Sequence, residues 1–269
     1  MKNIFLSALS FFFPLLAIAQ EEEEIPVLES KTGFYFGINT GACLANKYTA
    51  GYYGGTNEYS LVDLISNPYV KNELSNKFQQ LPFWIGEYPA QMRYKPGIAA
   101  GFHFGYYTDE TSAFFMDVNF VRLTLAATFA IYTDDPNNMS GDPIVYPEIL
   151  TGEENRLSID LGYHSDFGEE KVRGYAEFGG NFNAVKPVKN TAIIEGLQYN
   201  LLQNGYYLQP WIDRGGMGFG FFLGTGVRMK FNQKFTFDLG ATANFQRINL
   251  WMDEKFKLNP VLYLRLLYL

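Results

Sequence analysis

Residues 217–248 read MGFGFFLGTGVRMKFNQKFTFDLGATANFQRI. The odd positions run Met217, Phe219, Phe221, Leu223, Thr225, Val227, Met229 and Phe231, and resume as Phe235, Phe237, Leu239, Ala241, Ala243 and Phe245. The even positions carry Gly218, Gly220, Gly224, Gly226, Arg228 and Lys230, then Thr236, Asp238, Gly240, Thr242, Asn244 and Gln246. A period of two specifies strands with one apolar and one small or polar face. Keeping both apolar faces on one side of a hairpin requires an odd loop, and a three-residue loop at 232–234 provides it. Phe231 then faces Phe235, and Arg228 faces Asp238 on the polar side. About ten residues per strand, apolar outside and polar inside, is the pattern of a strand that crosses a lipid bilayer.

The rest of the chain extends this pattern. Lys2, an apolar run from 4 to 18 and the small-x-small site Ala17-Ile18-Ala19 form a secretory signal, with cleavage expected after Ala19. Residues 20–32, which open on Glu21 to Glu24, are expected to form a solvated periplasmic tail, and 33–269 the barrel. Without Lys2 the chain holds 20 basic and 28 acidic residues, a balance that disfavours nucleic acid as a partner. Cys43 is the only cysteine, so no intrachain disulfide can form. Aromatic residues make up 17% of the chain, and with its 26 glycines this suits interfacial girdles and closely packed strands.

Alternation predicts strands at 33–44, 96–107, 111 to about 132, 156–166 and 171–185, then the opening hairpin and a last strand at 256–269. Past Phe120 the apolar set shifts to Val121, Leu123 and Leu125, which predicts a bulge there. Long outer loops fall near 45–94, 133–155 and 186–215. Within the first, Leu61 to Phe78 has helical spacing with a break at Pro68. Long connections alternate with tight ones at 108–110, 168–169 and 232–234. The fold expected is therefore an all-β, antiparallel up-and-down transmembrane barrel of about eight strands, with long extracellular loops and short periplasmic turns. Such a chain sits in a bacterial outer membrane among its lipids and lipopolysaccharide.

Gly37-Ile38-Asn39-Thr40-Gly41 and Lys95-Pro96-Gly97-Ile98-Ala99-Ala100-Gly101 resemble the PorT-like outer-membrane β-barrel proteins of the Bacteroidota. The terminal LYLRLLYL is similar to a last-strand assembly signal, although the chain ends on Leu269 with the aromatic Tyr268 one place early. The resemblance covers the strands and not the loops. It implies the barrel fold, the outer membrane and, more loosely, a role in protein secretion.

Alternation places His103, Asp117, Asp160, Arg173, Glu177, Arg228, Asp238 and Arg265 inside the barrel. An eight-stranded interior is only wide enough for side chains, so these are expected to pair as a polar network rather than to line a path for ions. Tyr163-His164-Ser165-Asp166 invites a hydrolase reading, but neighbours along a strand point to opposite faces, so His164 and Ser165 cannot act as base and nucleophile. No metal-ligand cluster or phosphate loop appears, and no cofactor is expected. Trp84, Trp211 and Trp251 fall in or beside outer loops, with Trp84 and Trp211 as candidate partner contacts. Three functions follow as expectations. The first is a non-enzymatic structural or accessory subunit of a larger envelope complex, serving protein secretion or outer-membrane protein assembly and contacting other envelope proteins. The others are a passive pore or ligand-uptake barrel, and an enzyme acting on lipids of the outer leaflet.

Overall fold

The computed structural model describes residues 32–57, 60–168, 171–202, 215–232, 234–250 and 255–269. The expected signal and nearly all of the N-terminal tail lie outside these residues, as do Trp211 and Trp251. Among these described residues ten strands are formed: β1 (Gly33–Cys43), β2 (Phe83–Glu87), β3 (Gly97–Tyr107), β4 (Ser112–Thr133), β5 (Ile144–Phe167), β6 (Val172–Ile194), β7 (Leu197–Asn200), β8 (Gly216–Lys230), β9 (Phe235–Asn249) and β10 (Lys257–Tyr268). Two helices, α1 (Leu61–Ser66) and α2 (Pro68–Lys77), lie between β1 and β2.

Eight of the strands close a ring in the order β1-β3-β4-β5-β6-β8-β9-β10, every neighbouring pair antiparallel, and β10 returns to β1. The hairpin register pairs Arg228 with Asp238 and Lys230 with Thr236, and the Phe231 amide donates to the Phe235 carbonyl at 3.1 Å. One row of partners can be followed right round the barrel: Arg173, Arg228, Asp238, Arg265, Asn39, Gly101, Asn119, Ser158 and then Asn183, back on β6. The lap returns ten residues further along β6 than it began, which is the stagger of the barrel. With a strand spacing near 4.8 Å and a rise near 3.4 Å per residue, that stagger tilts eight strands by about 40°.

The outer wall is apolar. Phe34 is 86% exposed, Ile98 77% and Met217 75%, and Phe36, Phe102, Phe114, Phe120, Phe178, Phe182, Phe219 and Leu223 are also exposed. At the end that carries the short turns, ring contacts join Phe34 to Tyr106, Phe36 to Tyr268 to Phe235, and Phe114 to Tyr163 to Phe178. At the other end Phe256 meets Phe219 and Phe221. An apolar band between two aromatic girdles is the surface of a lipid-spanning barrel. Among the described residues no helix is long and apolar enough to cross a membrane.

Three strands outrun the ring. β4, β5 and β6 are 22, 24 and 23 residues long, and their upper halves form a sheet that β2 extends at one edge and β7 at the other. Residues 144–155 and 186–194, expected in loops, are therefore strand, and the loop between β4 and β5 shrinks to 134–143. The expected bulge in β4 is absent. Its pairing with β5 runs unbroken from Ser112 to Thr133, and Val121, Leu123 and Leu125 share the inward parity of Asp117. The inward face becomes apolar because a cap sits on it. Leu61, Leu64, Ile65, Val70, Leu74 and Phe78 pack with Tyr53, Met92, Leu125, Phe129, Ile131, Leu150, Ile194 and Tyr199. The cap helices start where the sequence signals them. Ser60 accepts from the Val62 amide at 3.0 Å, Asn67 from the Tyr69 amide at 3.0 Å, and Pro68 occupies the first helical position.

Candidate functional site

The interior holds two buried polar clusters, one at mid-barrel and one at the mouth. The mid-barrel cluster is built on two arginines, Arg228 and Arg265, which are 1% and 2% exposed. Arg228 grips Asp238 with two hydrogen bonds, Nε to Oδ1 and Nη2 to Oδ2, both 2.8 Å. Its Nη1 also reaches Asp166 Oδ2 at 3.3 Å and the Tyr107 hydroxyl. Arg265 donates to Glu177 Oε1 at 2.7 Å and to Asp117 Oδ2 at 2.9 Å, and stands 3.5 Å from Asp238 Oδ2. Its guanidinium lies 4.7 Å from the Tyr263 ring centre, and the Tyr263 hydroxyl donates to Glu177 Oε2 at 3.0 Å.

Both histidines belong to this cluster. His103 Nδ1 lies 2.7 Å from Asp117 Oδ1 and its Nε2 3.2 Å from the Tyr35 hydroxyl. His164 lies between two carboxylates, Nδ1 2.9 Å from Glu177 Oε1 and Nε2 2.9 Å from Asp166 Oδ1. The ring is thereby held between the two acids through both of its nitrogens. Four carboxylates thus share two arginines and two imidazoles, and each acid has at least one cationic or ring partner. Burying charges is tolerable only when each is paired with an opposite one.

Asp160 stands apart. It pairs across the sheet with Asp117, but its own contacts are Asn181 and the Ser158 hydroxyl, the latter at 3.2 Å. It borders a cavity of about 60 Å³ whose lining mixes amides, among them Asn39, Asn119, Asn183, Asn244 and Asn259, with the apolar Ala99, Val121 and Val261. Asn39 Oδ1, Asn244 Oδ1 and Arg265 Nε find no partner within the described protein, and their residues line this space. This volume with unpartnered polar atoms at its wall suits a few water molecules. Arg173 is half-buried, pairs in register with Arg228, and lies near enough for its charge to act on Asp166.

The second cluster closes the mouth. Glu154 accepts from the Tyr53 hydroxyl at 2.9 Å, the Tyr94 hydroxyl at 2.7 Å and Arg156 Nε at 2.6 Å. Arg156 Nη2 reaches the Thr49 hydroxyl at 2.8 Å, and its guanidinium lies 5.3 Å from the Tyr94 ring centre. Burial first, then the Glu154 charge, pushes the Tyr53 and Tyr94 hydroxyls far above the usual phenol range, so both remain donors. Tyr53, Tyr94 and Thr49 come from the 45–94 segment and Glu154 and Arg156 from β5, so this cluster ties the cap to the barrel.

Six of the eight residues named from sequence meet in the mid-barrel cluster, while Arg173 and Asp160 pair in register with its members Arg228 and Asp117, and Asp160 faces the cavity. His164 and Asp166, which the sequence argument did not include, complete it. Strand parity would have found them, since both share the parity of Asp160. Phe222 was also missed, an even-numbered residue that is 2% exposed, with its ring centre 5.9 Å from that of Phe115 inside. Glu154 and Arg156 lay at or inside a presumed loop edge. Trp84 is on β2, 40% exposed, on the outer face of the projecting sheet with its ring 6.1 Å from Tyr132. Among the described residues no group of three or more His, Cys, Asp or Glu side chains is placed to hold a metal ion.

No protein-family model matches the chain, and neither does any curated protein. Among solved structures it is similar to Neisserial surface protein A (NspA), at 10% identity and a TM-score of 0.42, covering 90% of this chain and 99% of that one. It is similar to Ail, the attachment invasion locus protein of Yersinia pestis, at 9% identity and a TM-score of 0.36, covering 90% and 98%. It is also similar to the N-terminal β-barrel domain of Pseudomonas aeruginosa OprF, at 9% identity and a TM-score of 0.34, covering 88% and 98%. Likenesses this low say nothing of what this barrel does.

Proposed function

We propose that this chain is a non-enzymatic outer-membrane β-barrel that serves as a structural or accessory subunit of a larger envelope complex, making its contacts through the capped end. The observation that carries the reading is the double closure of the interior. Arg228 and Arg265 with their acids fill mid-barrel, and the Glu154 cluster fastens a folded cap over the mouth. A barrel stopped at two levels offers no conduit, so its working surface is on the outside. Among the described residues that surface includes a five-stranded sheet with a hydrophobic core on one face. On its other face Trp84 and Tyr132 are available to an envelope protein.

Against catalysis, His164 has both ring nitrogens occupied by Asp166 and Glu177. Ser165, its neighbour, pairs with Ser112 and Ala176 and points to the opposite side of the strand. The apolar band and the secretory signal expected at 1–19 support the outer membrane, with its lipids and lipopolysaccharide around the wall. The PorT-like resemblance of 37–41 and 95–101 is what favours protein secretion, or outer-membrane protein assembly, as the setting.

The test is solubilisation of native membranes in a mild detergent, then blue-native electrophoresis and mass spectrometry. We expect the chain in a species well above its own mass of 30.6 kDa. Migration as a bare monomer under several mild detergents would sink the proposal. Steady conductance in planar bilayers would replace it with the pore reading.

A further inference from the structure

Of the interior acids Asp117, Asp160, Asp166, Glu177 and Asp238, Asp160 alone has no arginine or imidazole partner among the described residues. It stands at the end of a chain of neutral donors. Asn183 Nδ2 donates to Asn181 Oδ1, and Asn181 Nδ2 donates to the Ser158 hydroxyl at 2.9 Å and to Asp160 Oδ1. The Ser158 hydroxyl donates to Asp160 Oδ1 at 3.2 Å. Both bonds to the acid arrive at Oδ1, and Oδ2 receives none from the described residues. Neutral donors leave the charge of a buried carboxylate without an opposite one.

Two more oxygens on the wall of the same cavity lack a donor. Asn39 is 8% exposed and Asn244 4%, and Oδ1 of each has no partner within the described protein. The Asn39 amide is pinned, because its Nδ2 donates to Asp117 Oδ1 at 2.8 Å and to Asn119 Oδ1 at 3.1 Å, which makes Oδ1 the atom left over. The two arginines that reach this wall are held elsewhere, Arg265 by Glu177 and Asp117, and Arg156 by Glu154. Arg265 Nε also lacks a partner and can donate to a water in the cavity.

We infer that this cavity holds a monovalent metal cation, largely stripped of its water and held by the Asp160 carboxylate with the side-chain oxygens of Asn39 and Asn244. Charge and size select this occupant together. One free carboxylate balances one positive charge. Calcium sites take about 6–8 oxygens, carboxylates prominent among them, and magnesium keeps several waters. A cavity of about 60 Å³, against about 30 Å³ for each water, has no room for such a shell. Water alone would satisfy the amide oxygens and leave Asp160 without an opposite charge. The inference concerns the interior, so it stands or falls apart from the envelope complex proposed above.

Refolding of the full chain from urea into detergent tests it, since the ion can enter before the barrel closes. The probes are sodium, potassium and choline chloride at one ionic strength, choline being too large for the cavity. With sodium or potassium at about a hundred times its dissociation constant, the ratio of folded to unfolded chain should exceed that in choline about a hundredfold. Asp160→Asn removes the charge that needs an ion and should erase the difference. Asn244→Ala keeps the carboxylate, and it keeps the test open if Asp160→Asn does not fold. It should move the response to about tenfold higher ion concentration, the worth of one contact to a charged group. Heat-modifiable gel migration reports whether each variant is folded. Crystals grown with thallium(I) acetate should show an anomalous peak bordered by Asp160, Asn39 and Asn244. Equal ratios in all three salts would overturn the inference and leave a cavity of water alone. So would a metal-ion response that survives in folded Asp160→Asn or is unmoved in folded Asn244→Ala, or crystals with no thallium peak in the cavity.

Discussion

Arg228 and Asp238 face each other across the β8–β9 hairpin and share two parallel hydrogen bonds of 2.8 Å, both side chains at most 1% exposed. Their meeting follows from parity and a three-residue loop. Asn232 holds that loop, its side-chain oxygen accepting from the amides of Lys234 and Phe235 at 2.8 Å each. The pair also sits in the row of partners that marks the stagger of the whole barrel, so one hairpin register fixes where the interior charges meet.

Arg228→Ala should destabilise the barrel by about 3 kcal/mol, because Asp238 loses its nearest cation where water cannot replace it. Arg228→Leu with Asp238→Leu should cost less than that, since no charge is left stranded. Urea refolding into detergent or lipid, arranged as a double-mutant cycle, measures both. Additive single losses would mean that the two residues do not interact.

His164→Phe removes the ring that joins Asp166 to Glu177 while keeping an aromatic body near Tyr175, whose ring centre lies 4.9 Å away. Both acids keep an arginine, Asp166 through Arg228 and Glu177 through Arg265. The loss should therefore be about 1–3 kcal/mol, less than for either arginine. Refolding midpoints compare the variants directly. A cost for His164→Phe above that of Arg228→Ala would show that the ring, not the guanidinium, organises the acids.

The fold was readable from the sequence because one face of every ring strand meets lipid, so alternation is strict where it matters. The same rule failed above the membrane. At Val121, Leu123 and Leu125 the apolar residues moved to the inner parity, which suggested a bulge. The structure keeps the register and changes what lies inside, from polar lumen to capped core. The β6–β7 hairpin escaped notice for a local reason. Its two loop residues, Glu195 at φ 47° and Gly196 at φ 79°, both adopt the left-handed backbone that tight hairpins need. A glutamate in the first place does not announce such a turn as Asn or Asp does. The mouth cluster was illegible because its members, Thr49, Tyr53, Tyr94, Glu154 and Arg156, are separated by up to about a hundred residues and meet only when the cap folds.

Above the membrane, Glu148 gives a pH dependence. Its Oε1 accepts from the Glu195 amide at 3.0 Å, and burial raises its carboxyl above the usual range. A raised folded-state value means that the fold favours the protonated form. This contribution is complete below the unfolded value and is lost as pH rises through the raised one. Glu148→Gln keeps the acceptor without the charge. Amide exchange in β7 should slow in this variant at pH 7, and match wild type once the measurements are corrected for intrinsic rates at pH 4. A variant that exchanges faster at pH 7 would reverse the sign.

The Glu154 cluster predicts that cap and barrel can be uncoupled. Glu154 accepts three hydrogen bonds, two from tyrosines of the cap segment and one from Arg156 beside it on β5. Glu154→Ala would leave Arg156 buried with only the Thr49 hydroxyl and the Tyr94 ring, and would take the carboxylate from both tyrosine hydroxyls, leaving Tyr53 the Glu153 carbonyl at 3.5 Å. Removing one partner of a buried pair costs about 3–5 kcal/mol, but here the loss falls on the cap, because the mid-barrel arginines and their acids are untouched. Hydrogen exchange should accelerate across 49–53 and the two cap helices while β8, β9 and β10 remain protected. Heat-modifiable migration should also persist. Uniform acceleration through all ten strands would show instead that cap and barrel unfold as one unit. Unchanged exchange in the cap would show that its hydrophobic core, from Leu61 to Phe78 against β4 and β5, holds it without the clasp.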